Sequence, residues 1–218
     1  MKAIWETDFE ALAANDTGEI SAGLVRIDHV AQTMESEELL TWTLFYTSIF
    51  DMTKTPIVDF DPNGMVYSRA IQSSDGGVRL ILNGAETHRS FAGRFVADSS
   101  GPSVQHLAFA SDDIFATAAI LSERGFESMP MSEDYYLDLA ARFDIDTGLL
   151  AKMKPVNILY DEDAKGCYFQ LYSRPYGAGF FFEIVERRDG YDGYGAPNAP
   201  YRLAAQKRLS RSKGKPGR

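Results

Sequence analysis

The 218-residue chain has a single cysteine, only three histidines and no long apolar run. The shortage of cysteine and the lack of an apolar run each exclude a class of protein. Its single cysteine, Cys167, excludes a disulfide within the chain, so the sequence does not require an oxidising compartment. No segment is apolar over the length that a membrane helix needs, and acidic residues stand near the N-terminus where a secretion signal would be apolar. We therefore expect a cytoplasmic protein with no membrane partner.

Positive charge is also scarce. Lys and Arg number 22 against 31 Asp and Glu, which gives a formal net charge of −9. Such a surface repels phosphate backbones, so no nucleic-acid partner is predicted. Many basic residues concentrate in the tail 207–218, which has little to bury and is predicted to be disordered. Residues 1–22 are polar and mixed, and we interpret them as a lead-in segment.

An order of strand, helix and further strands occurs twice between these ends. It covers residues 23–84 and again residues 103–188, with a polar irregular loop predicted over 84–102 and an additional helix over 133–143. Neither half has enough strands to bury a sheet alone. We predict an α+β fold in which paired βαβββ modules form one open, curved mixed sheet around a cavity, with helices outside.

Histidine is rare enough for the position of each residue to carry information. His29 and His106 occupy the first strands of the two halves, so a pseudo-twofold relation would direct both into one cavity. In the first strand, Val25, Ile27 and His29 alternate, and we expect this mostly apolar face to point inward. The third histidine, His88, lies in a polar stretch and is predicted to be exposed.

A carboxylate inside an apolar strand completes the candidate site. Glu183 lies within the apolar run Phe180–Val185, and a buried carboxylate needs a partner such as a metal ion. Two imidazoles and one carboxylate are the ligands of non-haem Fe(II) oxygenases, which keep metal positions open for substrate and O2. Taken singly, a buried histidine is often an ordinary core residue and a strand glutamate often faces solvent. Together, His29, His106 and Glu183 predict one Fe(II) per chain, with another divalent metal as the alternative.

Several short motifs resemble those of a known family. They are Ile27-Asp-His29, Val104-Gln-His106, Phe181-Phe-Glu183 with Arg187, the hairpin segment Arg79–Asn83, and Asp134-Tyr-Tyr136. From about residue 24 to residue 202 the chain is similar to the C-terminal, catalytic half of bacterial 4-hydroxyphenylpyruvate dioxygenases, in the vicinal-oxygen-chelate superfamily. The resemblance implies that the three ligands hold Fe(II) and that a 2-oxoacid and O2 react there. It also implies one dioxygenase-like domain over 23–202 that ends in a lid helix.

The same resemblance implies a substrate pocket. Ser68, Asn83, Gln105 and Gln170 fall where this family places polar pocket residues, and Phe181 falls where an aromatic ring lines the pocket. The alternative for the four polar residues is ordinary hydrogen bonding within the sheet.

A closer resemblance is to the C-terminal part of fused bacterial 3-dehydroshikimate dehydratases, carried by the segments 2–8 and 193–199. Ala199 follows Asn198 where the dioxygenases have an aromatic residue, so the metal site is retained better than the hydroxyphenylpyruvate pocket. In the fused proteins a sugar-phosphate-isomerase-like barrel precedes this module.

Three functions follow from the two resemblances. The favoured one is a dioxygenase acting on a 2-oxoacid or an aromatic acid. The second is an accessory metal-binding module, without turnover of its own, that pairs with a barrel domain. The third is another chemistry of the superfamily, such as extradiol ring cleavage or a glyoxalase-like isomerisation. Self-association into a homo-oligomer is the alternative to pairing with a barrel.

Overall fold

The computed structural model describes residues 21–59 and 66–213. All of its strands belong to one sheet. Nearly all of the predicted lead-in segment lies outside these residues. The strands of the described part are β1 (Leu24–Glu35), β2 (Thr53–Lys54), β3 (Val58–Asp59), β4 (Val66–Gln72), β5 (Arg79–Ala85), β6 (Ser103–Ser111), β7 (Leu159–Asp163), β8 (Gly166–Tyr172) and β9 (Phe181–Arg188). Its α-helices are α1 (Glu38–Ile49), α2 (Phe91–Asp98), α3 (Ile114–Glu123), α4 (Glu133–Arg142), α5 (Thr147–Met153) and α6 (Ala199–Lys213).

The sheet repeats the same arrangement on both sides of its centre. The strand order is β2-β4-β5-β1-β6-β9-β8-β7, with β3 also beside β4. The first strand of each half pairs in parallel with the last strand of that half, β1 with β5 and β6 with β9. The two first strands, β1 and β6, meet in the middle as an antiparallel pair. The predicted α+β fold of paired βαβββ units in an open, curved mixed sheet is confirmed.

Local hydrogen bonds and one glycine mark the ends of several elements. The Asp113 side chain accepts hydrogen bonds from the amides of Phe115 and Ala116, each at 3.0 Å, and so begins α3. Gly125, with φ of +85°, lies just beyond the end of that helix. The Asp75 carboxylate accepts a hydrogen bond from the Gly77 amide in the turn between β4 and β5.

The prediction of an irregular loop over 84–102 is wrong, because this stretch contains α2. The Ser90 hydroxyl accepts a hydrogen bond from the Gly93 amide at 2.9 Å and starts the helix. Phe95 and Val96 are buried on one face. A single short apolar face among polar residues gives little periodic signal. The polar composition of the stretch therefore led to the prediction of a loop.

The inward orientation predicted for Val25 and Ile27 is also wrong. Their exposed fractions are 50% and 52%, and burial in β1 begins only at Asp28. The register between β1 and β6 shifts between Ile27 and His29, because these two residues are two positions apart in β1 whereas their partners, Phe109 and Ala108, are consecutive in β6. This bulge changes the alternation, so that His29 points inward although Ile27 does not.

Three further differences concern helices. Helix α5 was not predicted, although the Asp146 side chain caps it by accepting a hydrogen bond from the Leu149 amide at 2.9 Å. Lys154–Val156 forms a 3-10 helix, so the strand β7 begins only at Leu159. Helix α6 includes residues 207–213, so this part of the predicted disordered tail is helical, and the remainder lies outside the described residues.

Each half of the sheet has its own apolar core. In the first half, Met34, Leu39, Ile71 and Leu82 pack between α1 and the sheet. The second core is larger, and its fully buried side chains include Tyr135, Leu139, Met153, Phe169 and Phe181. Within residues 21–59 and 66–213, none of the helices combines the length and the apolar character needed to cross a bilayer.

Candidate metal centre

The three predicted ligands meet at the centre of the sheet, on adjacent strands. His29 comes from β1, His106 from β6 and Glu183 from β9, and all three are buried. Ala108 of β6 is the register partner of both His29 and Glu183, so these two side chains flank the same small residue. One donor atom from each ligand lies within 4.8 Å of the other two.

The spacing of the donor atoms fits a metal ion better than direct hydrogen bonds. Nε2 of His29 lies 3.3 Å from Glu183 Oε2, and Nε2 of His106 lies 3.4 Å from the same oxygen. Charge-assisted N–H···O bonds are shorter, at about 2.7–2.9 Å. When two ligands bind one metal at right angles, each with a bond of about 2.1 Å, their donor atoms are roughly 3 Å apart. Two imidazole nitrogens and one carboxylate oxygen suit a divalent transition metal.

The protonation states also suit metal binding. Burial lowers the pKa of His106 to about 4, so the imidazole is neutral at physiological pH. Burial alone would raise the pKa of Glu183, but the neighbouring imidazoles of His106 and His29 outweigh it and hold that pKa below its ordinary value. Burial lowers the pKa of His29, whereas its contacts with Asp28 and Glu183 raise it more.

A buried ion pair behind His29 fixes the orientation of its ring. Asp28 Oδ1 lies 2.9 Å from His29 Nδ1, which leaves Nε2 directed at the centre. Arg187 holds the same carboxylate with two hydrogen bonds of 2.9 Å, from Nε to Oδ2 and from Nη2 to Oδ1. Asp28 was not predicted as a functional residue, and the available signal was an acid immediately before a predicted ligand.

His106 is oriented by stacking rather than by such a pair. Its ring stacks on Phe181 with the centroids 4.6 Å apart. Its Nδ1 is buried, and none of the described residues hydrogen-bonds it. The predicted pocket residue Phe181 therefore contacts a ligand directly.

Three of the predicted polar pocket residues lie on strands β4, β5 and β6. Ser68 and Asn83 are register partners on β4 and β5, and their side chains hydrogen-bond each other. Gln105, next to the ligand His106, accepts a hydrogen bond from the Thr33 hydroxyl at 3.0 Å. Asn83 and Gln105 line a small cavity between the sheet and α6. Their part in substrate binding stays a prediction.

Gln170, the fourth, lies behind the ligands. Its Nε2 donates to Glu183 Oε1 at 2.9 Å and to the Tyr172 hydroxyl at 2.7 Å. Its Oε1 accepts a hydrogen bond from Asn198 Nδ2 at 2.7 Å. The geometry gives Gln170 the task of orienting Glu183, so that Oε2 faces the histidines.

A family model described as the glyoxalase/bleomycin resistance protein/dioxygenase superfamily matches residues 26–166, more than half of the chain. The chain belongs to this superfamily. The match includes His29 and His106 and ends before Glu183, so the prediction that Glu183 is the third ligand rests on the geometry above.

Individual relatives confirm both resemblances seen in the sequence. A 3-dehydroshikimate dehydratase of Pseudomonas aeruginosa is 42% identical over 96% of this chain, which covers 33% of that protein. A 4-hydroxyphenylpyruvate dioxygenase of the same species is 28% identical over 90% of this chain and 56% of its own length. A solved structure of a xylose isomerase-like TIM barrel/4-hydroxyphenylpyruvate dioxygenase fusion protein is 41% identical, with a TM-score of 0.74 over 86% of this chain and 30% of its own. The chain thus spans about a third of the dehydratase that it matches.

The segment before α6 packs closely against Gln170. Gly195 has φ of +60°, and a Cβ at this position would overlap the Gln170 side-chain amide. Asn198 is buried and donates a second hydrogen bond to the Tyr160 carbonyl at 3.1 Å. Ala199, at the start of α6, is also buried. This segment therefore holds the Gln170–Glu183 contact in place.

Replacing Gly195 with alanine is expected to lower the free energy of unfolding by about 2 kcal/mol, or Tm by about 4–8 °C. The left-handed backbone disfavours a side chain, and the new methyl group must displace Gln170. Gly177→Ala is the matched control, because Gly177 has φ of +49° and open space around its Cβ position. Thermal unfolding of both variants measures the difference, and equal losses would contradict a role for the Gln170 contact.

Proposed function

We propose that this chain is an Fe(II)-dependent dioxygenase module of the 4-hydroxyphenylpyruvate dioxygenase type, acting on a 2-oxoacid or an aromatic acid. The observation that carries the proposal is the convergence of His29 Nε2, His106 Nε2 and Glu183 Oε2 on one buried point. This ligand set leaves positions for reactants on the metal. The similarity to a dioxygenase of that name over most of the chain supports the reaction class.

The residues of this chain would divide the work as follows. His29, His106 and Glu183 hold the metal, while Asp28 and Gln170 keep His29 and Glu183 oriented. Asn83 and Gln105 would offer amide groups to a substrate from the cavity that they line, and Phe181, which stacks on His106, would supply an apolar surface at the centre. Bound Fe(II) supplies the redox chemistry of O2 activation. Burial of all three ligands keeps bulk water from the reacting groups.

Oxygen consumption tests the proposal. The protein is loaded anaerobically with Fe(II) and mixed with O2 and a panel of 2-oxoacids that includes 4-hydroxyphenylpyruvate. We expect O2 uptake that depends on both metal and acid, with homogentisate formed if hydroxyphenylpyruvate is the substrate. Glu183→Ala should abolish the uptake, whereas His88→Ala should not, because His88 is exposed. No uptake with any acid by a metal-loaded protein would overturn the proposal.

A second candidate is an accessory module of a dehydratase. It is favoured by the 42% identity to a 3-dehydroshikimate dehydratase and by the fused arrangement in the solved relative. If the chain is such a module, we expect no O2 uptake. We expect instead a change in dehydratase activity or in oligomeric state when this chain is mixed with a separately produced barrel domain. A screen of catechols and hemithioacetals with Fe, Mn, Zn or Ni separates both candidates from ring cleavage and glyoxalase-like isomerisation.

A further inference from the structure

The outer side of α1 is apolar and exposed. Leu40 is 72% exposed, Leu44 62%, Phe45 42% and Ile49 66%, and Phe50, just beyond the helix, is 60% exposed. Leu40 and Leu44 are one helical turn apart, and so are Phe45 and Ile49, so the four side chains form one surface along the helix. The ring centre of Phe50 lies 5.6 Å from that of Phe45 and extends this surface. We call these five residues the α1 face.

The α1 face is large for an apolar surface in contact with water. Its exposed side chains present on the order of 600 Å² in total, since a large apolar side chain has roughly 150–250 Å² of surface. A monomeric protein rarely exposes a larger apolar patch. A stable interface buries about 800 Å² on each partner, so the α1 face supplies most of the area that a dimer needs. Thr41 and Ser48, which are exposed on the same helix, add small uncharged groups.

A hollow of about 390 Å³ lies beside the α1 face. Leu40 and Ile57 give it apolar walls, and the charged residues Glu37, Arg69 and Glu86 also line it. An apolar centre with charged groups at its edge is the usual arrangement of a protein–protein interface. The hollow is large enough to receive an apolar side chain from a partner.

The charge of the chain favours a second copy as that partner. The net charge is −9, so most surfaces of two copies repel each other. From Leu39 to Phe50 no residue is charged, so two α1 faces can meet without opposing like charges. A partner selected by opposite charge would find no charged group to pair with on these residues. A surface that contacts its own copy gives a closed twofold dimer.

The α1 face also covers the smaller of the two apolar cores. On the inner side of α1, Leu39 packs with Met34, Ile71 and Leu82. Met34 belongs to β1, the strand that supplies His29. A second copy that covers the outer side of α1 would therefore stabilise the half of the sheet that carries this predicted ligand.

We propose that the α1 face is the interface of a homodimer, in which two copies pack their α1 helices together about a twofold axis. Leu44 lies near the middle of the face, so the Leu44 side chains of the two copies lie close to the axis. This inference goes beyond the proposed function, because it requires neither a bound metal nor a reaction.

The mass of the full chain in solution tests for the dimer. We expect light scattering to give about twice the chain mass of 24.2 kDa at concentrations on the order of 10–100 µM, with and without metal. Because association stabilises the folded chain, Tm should rise with protein concentration over the same range.

Charge substitutions in the middle of the face assign the dimer to α1. In Leu44→Glu two carboxylates oppose each other near the axis, so we expect the dissociation constant to rise at least about 100-fold. An equimolar mixture of Leu44→Glu and Leu44→Lys should restore the dimer, because opposite charges then meet, and this result would show that both variants are folded. Leu137→Glu is the matched control, since Leu137 is 63% exposed on α4, in the other half of the chain.

Several outcomes would overturn the inference. A wild type that stays monomeric over the whole concentration range excludes the dimer. A dimer that persists in Leu44→Glu, or that Leu137→Glu disrupts equally, excludes the α1 face as its interface. A monomeric wild type that binds a separately produced barrel domain, with binding lost in Leu44→Glu, would assign the face to that partner. Metal content and O2 uptake are measured separately, so each of these outcomes leaves the proposed function intact.

Discussion

His106→Ala is expected to lose nearly all bound metal, whereas the wild type should hold about one ion per chain. Removal of this imidazole leaves His29 and Glu183 as a two-ligand remnant, which binds a divalent ion weakly. The remnant would still be a buried pair, because His29 Nε2 lies 3.3 Å from Glu183 Oε2, so the fold should tolerate the change. Metal analysis after anaerobic loading and desalting measures the result.

His88→Ala is the control for this experiment. The His88 side chain is 72% exposed and lies 3.9 Å from the Glu35 carboxylate, away from the ligands. Its replacement also removes one imidazole, so it corrects for adventitious surface binding. We expect wild-type metal content in this variant. Equal metal content in His106→Ala and in the wild type would remove His106 from the site.

The convergence of His29, His106 and Glu183 was predictable because each residue carries a local signal. His29 and His106 hold equivalent places in two similar halves, and the fold brings those halves together with β1 beside β6. Glu183 stands in an apolar strand, where an unpaired carboxylate would be unstable. These signals depend on the order of elements and on neighbouring residues, which a sequence shows directly.

Features that depend on contacts between residues far apart in the chain could not be predicted from the sequence. The bulge that exposes Ile27 arises from the register between β1 and β6, which no local pattern specifies. Asp28 and Arg187 are 159 positions apart, so their ion pair is visible only in three dimensions. No local pattern indicated that the side-chain amide of Gln170, a predicted pocket residue, would hydrogen-bond Glu183 and Asn198.

Asp28→Asn is expected to weaken metal binding by about 10- to 100-fold and to lower the free energy of unfolding by about 3–5 kcal/mol. The asparagine keeps the shape of the side chain but removes the charge that orients His29 and neutralises the buried Arg187. Competition with a chromogenic chelator measures the affinity, and urea denaturation of the metal-free protein measures the stability. Asp112→Asn, at an exposed aspartate, should change neither quantity.

Two consequences of the Asp28 substitution can be separated with a second change. In Asp28→Asn combined with Arg187→Met, the unpaired buried cation is gone, so part of the lost stability should return. Metal affinity should stay low, because His29 Nδ1 still lacks its carboxylate partner. Recovery of stability without recovery of affinity would identify Asp28 as a residue that positions the ligand. If affinity in Asp28→Asn equals that of the wild type while stability falls, the Asp28–Arg187 pair serves the fold alone.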